Sequence, residues 1–254
     1  MNYITTQYAH ALELLEDLVK QDPPVQTDLV VCSTKEEFLT QILPLLHAQS
    51  DELRQPSRHP EDGDGSETDE TRPSGAGHIF LAQPLHLLHA SRFIKLVFTP
   101  TITALHGYLA VHKPKPASFY PTSSSSDGQL VILNLLNLHH GTSEFTLQGL
   151  SQTFATAVSA AHRTNQQLRL VECRDISDPS NPNRGSALWR AEVPLLNASI
   201  KIGDGGAAWG RRTISAMKVA SRWFNVQRRI QRDKESEDIS YCHEIADSED
   251  EMLI

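Results

Sequence analysis

Cysteine is scarce in this chain. Cys32, Cys173 and Cys242 stand far apart, with no CxxC spacing between any two. That argues against a zinc ribbon and a disulfide framework, and makes a reducing compartment, cytoplasm or nucleus, the default. Long apolar runs are missing too, so no membrane-spanning helix is expected. The opening stretch MNYITTQYAHALELLEDL lacks a basic segment followed by an apolar one and carries acidic side chains. Neither a secretory nor a transit peptide is expected from it. Aromatic residues make up only 6% of the chain, so a tryptophan outside an apolar run stands out.

Several signatures of chemistry are absent as well. There is no GxSxG elbow, no HExxH and no paired Cys/His spacing. His139-His140 is the one adjacent histidine pair that suggests a metal. Read at the end of a strand, its two side chains point to opposite faces and cannot share one ion. GxxxxGK[ST], the loop whose backbone N–H groups cradle phosphates, does not occur either.

What is present is an alternation of apolar strands and amphipathic helices. YAHALELLEDLVKQ reads as a helix closed by Pro23-Pro24. DLVVCS reads as a strand, and Ser33 with Glu36 has the spacing of a capping box opening the next helix. Pro44 marks a kink or an end in that helix. HIFLA reads as a strand, QPLHLLHAS as a helix, RFIKLVFTP as a strand and TITALHGYLAVHK as a helix. QLVILNLLNL is the most apolar strand, as expected of one buried on both faces. Ser143 is the expected cap of the helix EFTLQGLSQTFATAVSAAHRTN, and QLRLVEC is the following strand. LWRAEVPLLNASI and RTISAMKVASRWFNVQ read as two long strands. The fold class expected is α/β, a mostly parallel sheet with flanking helices and a C-terminal antiparallel extension.

Charge is segregated along the chain. Residues 233–254 hold nine acidic residues against one lysine, and residues 51–70 hold eight against two arginines. Residues 201–232 hold eight Lys/Arg and one aspartate. The expected organisation is a single domain over 1–232, a disordered acidic insertion at about 49–77 and a disordered acidic tail over 233–254. An acidic tail beside a basic body suits a protein that handles polyanions. A plainly solubilising tail gives the same composition.

Two places bear on function. The junction CSTKEEF, after the strand DLVVCS, has the layout of a phosphate site. It offers Lys35 but no glycine, and Glu36 and Glu37 occupy the first helical turn. Those carboxylates favour the helix dipole themselves and compete with a phosphate. The strand LVILNLLNL carries Asn134 and Asn137 where a Mg²⁺-serving aspartate is needed. ATP binding, and with it any cofactor, is therefore not expected. The second place is KIGDGGAAWGRR, glycine-rich with Trp209 beside Arg211 and Arg212. Lys201, Trp209, Arg211 and Arg212, with Lys218 and Arg222 of the same parity on the following strand, form a candidate nucleic-acid surface.

The order of elements resembles the RecA-like core of Rad51 paralogues, especially the small degenerate members of Shu-type recombination complexes. DLVVCSTKEEF resembles their first strand and P-loop, and QLVILNLLNL their Walker B strand. KLVFTPTITALHGYLAV and LWRAEVPLL match further elements, over roughly residues 25–226. Walker A and Walker B residues are both missing. The resemblance thus implies a nuclear pseudo-ATPase that pairs with a RecA-like or SWIM-domain partner, binds single-stranded or branched DNA and assists a Rad51-type recombinase in DNA repair. Ser33, Lys35, Glu36, Glu37 and Asn134 become its degenerate nucleotide site. Inactive RecA-like subunits of an Elongator-type tRNA-modification assembly share this element order. An α/β hydrolase or transferase with an unrecognised site is the alternative of another class.

Overall fold

A computed structural model describes residues 1–54, 78, 80, 85–113, 128–176, 181, 184–195 and 213–227. Its strands are β1 (Asn2–Thr5), β2 (Thr27–Val31), β3 (Ile94–Phe98), β4 (Gln129–Leu133), β5 (Gln167–Val171), β6 (Glu192–Pro194), β7 (Thr213–Ser215) and β8 (Asn225–Gln227). Its helices are α1 (Ala11–Val19), α2 (Lys35–Arg54), α3 (Leu85–Ser91), α4 (Ile102–Val111), α5 (Leu135–His139), α6 (Leu147–Thr164) and α7 (Ala216–Ala220), with a 3₁₀ turn at Gly185–Arg190.

Six strands form a parallel sheet in the order β3-β2-β4-β5-β1-β8. The two central apolar segments, TDLVV and QLVIL, are buried at every position. That follows from helices on both faces. On one face Leu12, Leu14 and Leu18 of α1 and Phe38, Ile42 and Leu46 of α2 meet Leu29, Val31, Val131 and Leu133. On the other, Leu105 and Leu109 of α4 and Leu150 and Phe154 of α6 meet Val30, Leu130, Ile132 and Leu170. Phe154 is fully buried and packs edge-on against Phe224, with ring centroids 5.5 Å apart. The expected antiparallel extension is the pair β6–β7.

The details differ from the sequence expectation in several places, each for a local reason. β1 precedes the first expected helix, so DLVVCS belongs to the second strand. Of the expected strand HIFLA only His78 and Phe80 are described, His78 irregular and Phe80 helical, and the rest lies outside the described residues. QLVILNLLNL leaves the sheet at Leu133, because Asn134 adopts a left-handed conformation (φ 62°) and α5 begins behind it. His139 and His140 therefore close a helix and do not end a strand. The caps sit at Thr34 and Thr146, not at Ser33 and Ser143. α2 continues through Pro44 and runs to Arg54, beyond residue 49, where the insertion was expected to begin.

The two long C-terminal strands are broken up. Ser215 caps α7 by accepting from the Lys218 N–H, and Ala216, Val219 and Ala220 pack beside Leu188 and Trp189 in the core. A helix satisfies the backbone there while burying one face, and leaves only three-residue strands on either side. Lys218 thus lies on α7 and Arg222 in the turn after it, so the shared strand face expected for the two does not exist. Most of the expected insertion and all of 233–254 lie outside the described residues, as does the polar stretch 114–127. No described helix is long and apolar enough to cross a membrane.

Candidate functional site

β2 and β4 are neighbours in register, Val31 opposite Leu133. Their connections diverge: β2 runs into α2 on one face of the sheet, and β4 leads to α6 on the other. In open α/β sheets ligands settle in the crevice outside the carboxyl ends of two such strands. Ser33 and Asn134, two residues expected to belong to a degenerate nucleotide site, both lie there, each just past the end of its strand.

The crevice is filled by the chain itself. Asn134 is buried, and its Oδ1 accepts from the Cys173 N–H at 2.8 Å. Glu172, 1% exposed at the end of β5, accepts from the N–H of Leu136 at 2.6 Å and of Asn137 at 3.3 Å. Its carboxyl occupies the start of α5, where an anionic ligand would find free donors. Burial pushes Glu172 up to about 8, against the pull of those backbone N–H groups. Cys32 and Cys173 are buried nearby, and burial together with the Glu172 charge raises both thiols. Neither has the electropositive, accessible surroundings of a reactive cysteine.

The other strand-to-helix junctions are closed in the same manner. After β1, the Ala9 N–H donates to Glu13 Oε2 at 2.9 Å. After β2, Thr34 and Glu37 form a reciprocal box: the Glu37 N–H donates to Thr34 Oγ1 at 3.2 Å and the Thr34 N–H to Glu37 Oε2 at 3.0 Å. After β3, the Ala104 N–H donates to Thr101 Oγ1 at 3.1 Å. Ser33 turns its hydroxyl to the Thr34 carbonyl at 3.2 Å, and Lys35 and Glu36 are exposed on the first turn of α2. Removing the box with Thr34→Ala should cost about 1 kcal/mol, read as a lower urea midpoint at unchanged m-value. An unchanged midpoint would mean that water replaces the box at no cost in stability.

Of the candidate nucleic-acid residues, Lys218 and Arg222 are exposed, while Lys201, Trp209, Arg211 and Arg212 lie outside the described residues. Glu172 had no signature in sequence. Its one signal is a lone carboxylate ending the apolar strand QLRLVEC. Among the described residues no three His, Cys, Asp or Glu side chains are placed to hold a metal.

No family model matches the chain, and no curated protein or solved structure matches it. The fold and its edge define an α/β protein on a parallel six-stranded sheet whose strand-to-helix junctions are closed by its own oxygen atoms.

Proposed function

We propose that this chain is a non-catalytic, RecA-like subunit of a DNA recombination and repair complex, a pseudo-ATPase that works by binding. It pairs in the nucleus with a RecA-like or SWIM-domain partner, holds single-stranded or branched DNA and assists a Rad51-type recombinase. The observation that carries the non-catalytic part is the closure of all four junctions after β1, β2, β3 and β4 by Glu13, Thr34 with Glu37, Thr101 and Glu172. A phosphate would have to displace a side chain at each of them. The element order and the basic segment 201–232 support the DNA-binding part.

Titration with a fluorescent ATP analogue and Mg²⁺ tests the first part, with no binding expected at micromolar concentrations. Micromolar binding that disappears when residues 33–37 are changed would overturn it. For the second part, affinity for single-stranded and branched DNA should fall steeply with salt, as phosphate contacts release counterions. Reversing the charge of Lys218 and Arg222 together should lower the salt slope by about two, one for each phosphate that is no longer neutralised. An unchanged slope removes both from the surface. Affinity capture should return Rad51-related and SWIM-domain proteins, whereas Elongator subunits would move the chain to a tRNA-modification assembly.

A further inference from the structure

One polar cleft at the carboxyl edge is left open. It has a volume of about 550 Å³ and lies between α4, α5 and α6, on the face opposite α1 and α2. His106, Glu144, Gln152 and Thr101 line it with polar atoms, and Ile102 and Leu138 give it apolar walls. No lysine or arginine is among its described lining residues. Its size is that of a small-molecule pocket.

Behind the cleft runs a chain of hydrogen bonds that ends on His106. His106 Nε2 is 2.8 Å from Thr153 Oγ1, which is 3.1 Å from His139 Nε2. His139 Nδ1 faces the Glu144 carbonyl at 3.4 Å. Thr153 and His139 are both fully buried. A carbonyl only accepts, so His139 carries its proton on Nδ1. Burial holds that ring down to about 4, so it is neutral at physiological pH and Nε2 is a bare acceptor. The Thr153 hydroxyl has one proton, and two acceptors lie at 3.1 Å, His139 Nε2 and the Gly149 carbonyl. With its proton directed to either of them, Thr153 Oγ1 accepts from His106, whose proton is thereby placed on Nε2. The second nitrogen of His106, Nδ1, is left as a lone-pair acceptor on a side chain that lines the cleft.

Glu144 lines the same cleft, with its Oε2 beside the start of α6, 3.0 Å from where a Cβ on Gly149 would sit. Its carboxylate is exposed and meets no lysine or arginine among the described residues. The positive end of α4 opens beside the same cleft, but its Ala104 N–H is already taken by Thr101 Oγ1.

We propose that this cleft binds a small organic cation, an alkylguanidinium or alkylammonium compound. Glu144 takes the charge, His106 Nδ1 accepts a hydrogen bond from the cationic head, and Leu138 and Ile102 cover the alkyl stem. The buried Thr153 and His139 are positioning residues: they fix the face that His106 presents. This site is separate from the DNA-binding reading and stands or falls independently of it.

The test uses the full chain, agmatine as the cation and methyl phosphate as the anion. Two-dimensional NMR of the imidazole nitrogens should show His106 protonated on Nε2 at neutral pH, and agmatine should shift its Nδ1 resonance saturably. Glu144→Gln, an exposed and isosteric change, should weaken agmatine at least tenfold. Thr153→Val should release the His106 tautomer and weaken agmatine several-fold. Gly107→Ala, on the exposed side of α4, should leave affinity unchanged. A short peptide with a central arginine separates the sources of the cation: weaker binding than agmatine supports a free small molecule, and tighter binding overturns that assignment in favour of a protein side chain. The site itself is overturned if methyl phosphate binds in place of agmatine, if Glu144→Gln binds agmatine as tightly as the parent chain, or if His106 carries its proton on Nδ1.

Discussion

Gly149→Ala should destabilise the protein by about 2–3 kcal/mol, although the same exchange inside a helix ordinarily stabilises by about 1 kcal/mol. Gly149 is in the first turn of α6, where its N–H donates to Thr146 Oγ1 at 3.1 Å. A methyl group there would sit 2.3 Å from the Glu144 carbonyl oxygen and 3.1 Å from its carbon. Those are backbone atoms, so relief requires moving the 140–146 loop, and that loop also supplies the carbonyl facing His139 and the Thr146 cap. The change therefore strains a capped helix start and the environment of the buried His139 together. A drop in Tm of roughly 5–10 °C is expected for a domain of this size. Gly107→Ala is the matched control: it lies in α4, and no atom is within 4 Å of the added methyl. It should gain up to about 1 kcal/mol from helix propensity alone. If Gly149→Ala is as stable as Gly107→Ala, the close approach of the loop to α6 does not constrain the fold.

How much of this was readable depended on the range of the interaction. β2 and β4 were legible because a strand buried on both faces needs a largely apolar run, β5 because Leu168 and Leu170 alternate with polar residues, and helix α6 because its apolar positions recur at helical spacing. β1 escaped because it has four residues and pairs with β5, whose partner positions lie 166 residues further along, as in Asn2 with Leu168. The C-terminal segment was misread because RTISAMKVAS has alternating apolar residues that satisfy a strand pattern. Ala216, Val219 and Ala220 also satisfy a helical one, and packing against Leu188 and Trp189 decides between them.

The candidate site divides along the same line. That CSTKEEF closes its own helix was visible in the carboxylates of the first turn, displaced by one residue from Ser33–Glu36 to Thr34–Glu37. That Glu172 fills the start of α5 was not visible, since the hydrogen bond spans 36 residues and exists only because β4 and β5 are neighbours. The same holds for His106 and Thr153, 47 residues apart on α4 and α6. A phosphate-binding edge announces itself by glycines and a lysine in one short stretch. A junction closed by a side chain from the end of a neighbouring strand, as Glu172 closes the start of α5, leaves no such record.

Stability should be nearly flat between about pH 4.5 and 6.5 and should fall toward pH 8, and Glu172→Gln should remove that fall. Two buried groups set this shape. Glu172 is raised from 4.5 to about 8 by burial. Its contribution is therefore fully present below pH 4.5 and diminishes as pH rises to 8, because the unfolded chain ionises first. His139 is lowered from 6.5 to about 4, again by burial. Its contribution is present above pH 6.5 and diminishes as pH falls to 4, because the unfolded chain takes up the proton first. Each slope is about 1.4 kcal/mol per pH unit. Between pH 4.5 and 6.5 the slopes have opposite signs and cancel. Above 6.5 only Glu172 acts, and stability should decline by roughly 2 kcal/mol by pH 8. In Glu172→Gln the amide oxygen can still accept from the Leu136 N–H, and at pH 4.5 the variant mimics the protonated acid, so its stability there should be within about 1 kcal/mol of the parent. With the Glu172 slope gone, the uncancelled His139 slope should make the variant more stable as pH rises from 4.5 to 6.5, with a plateau above. By pH 8 it should exceed the parent by roughly 4–5 kcal/mol. Urea denaturation of both chains at half-unit pH steps gives the two profiles. Parallel profiles between pH 6.5 and 8 would mean that Glu172 is ionised in the folded protein and held by the α5 donors, and the start of α5 would then be an anion site already occupied by a fixed charge.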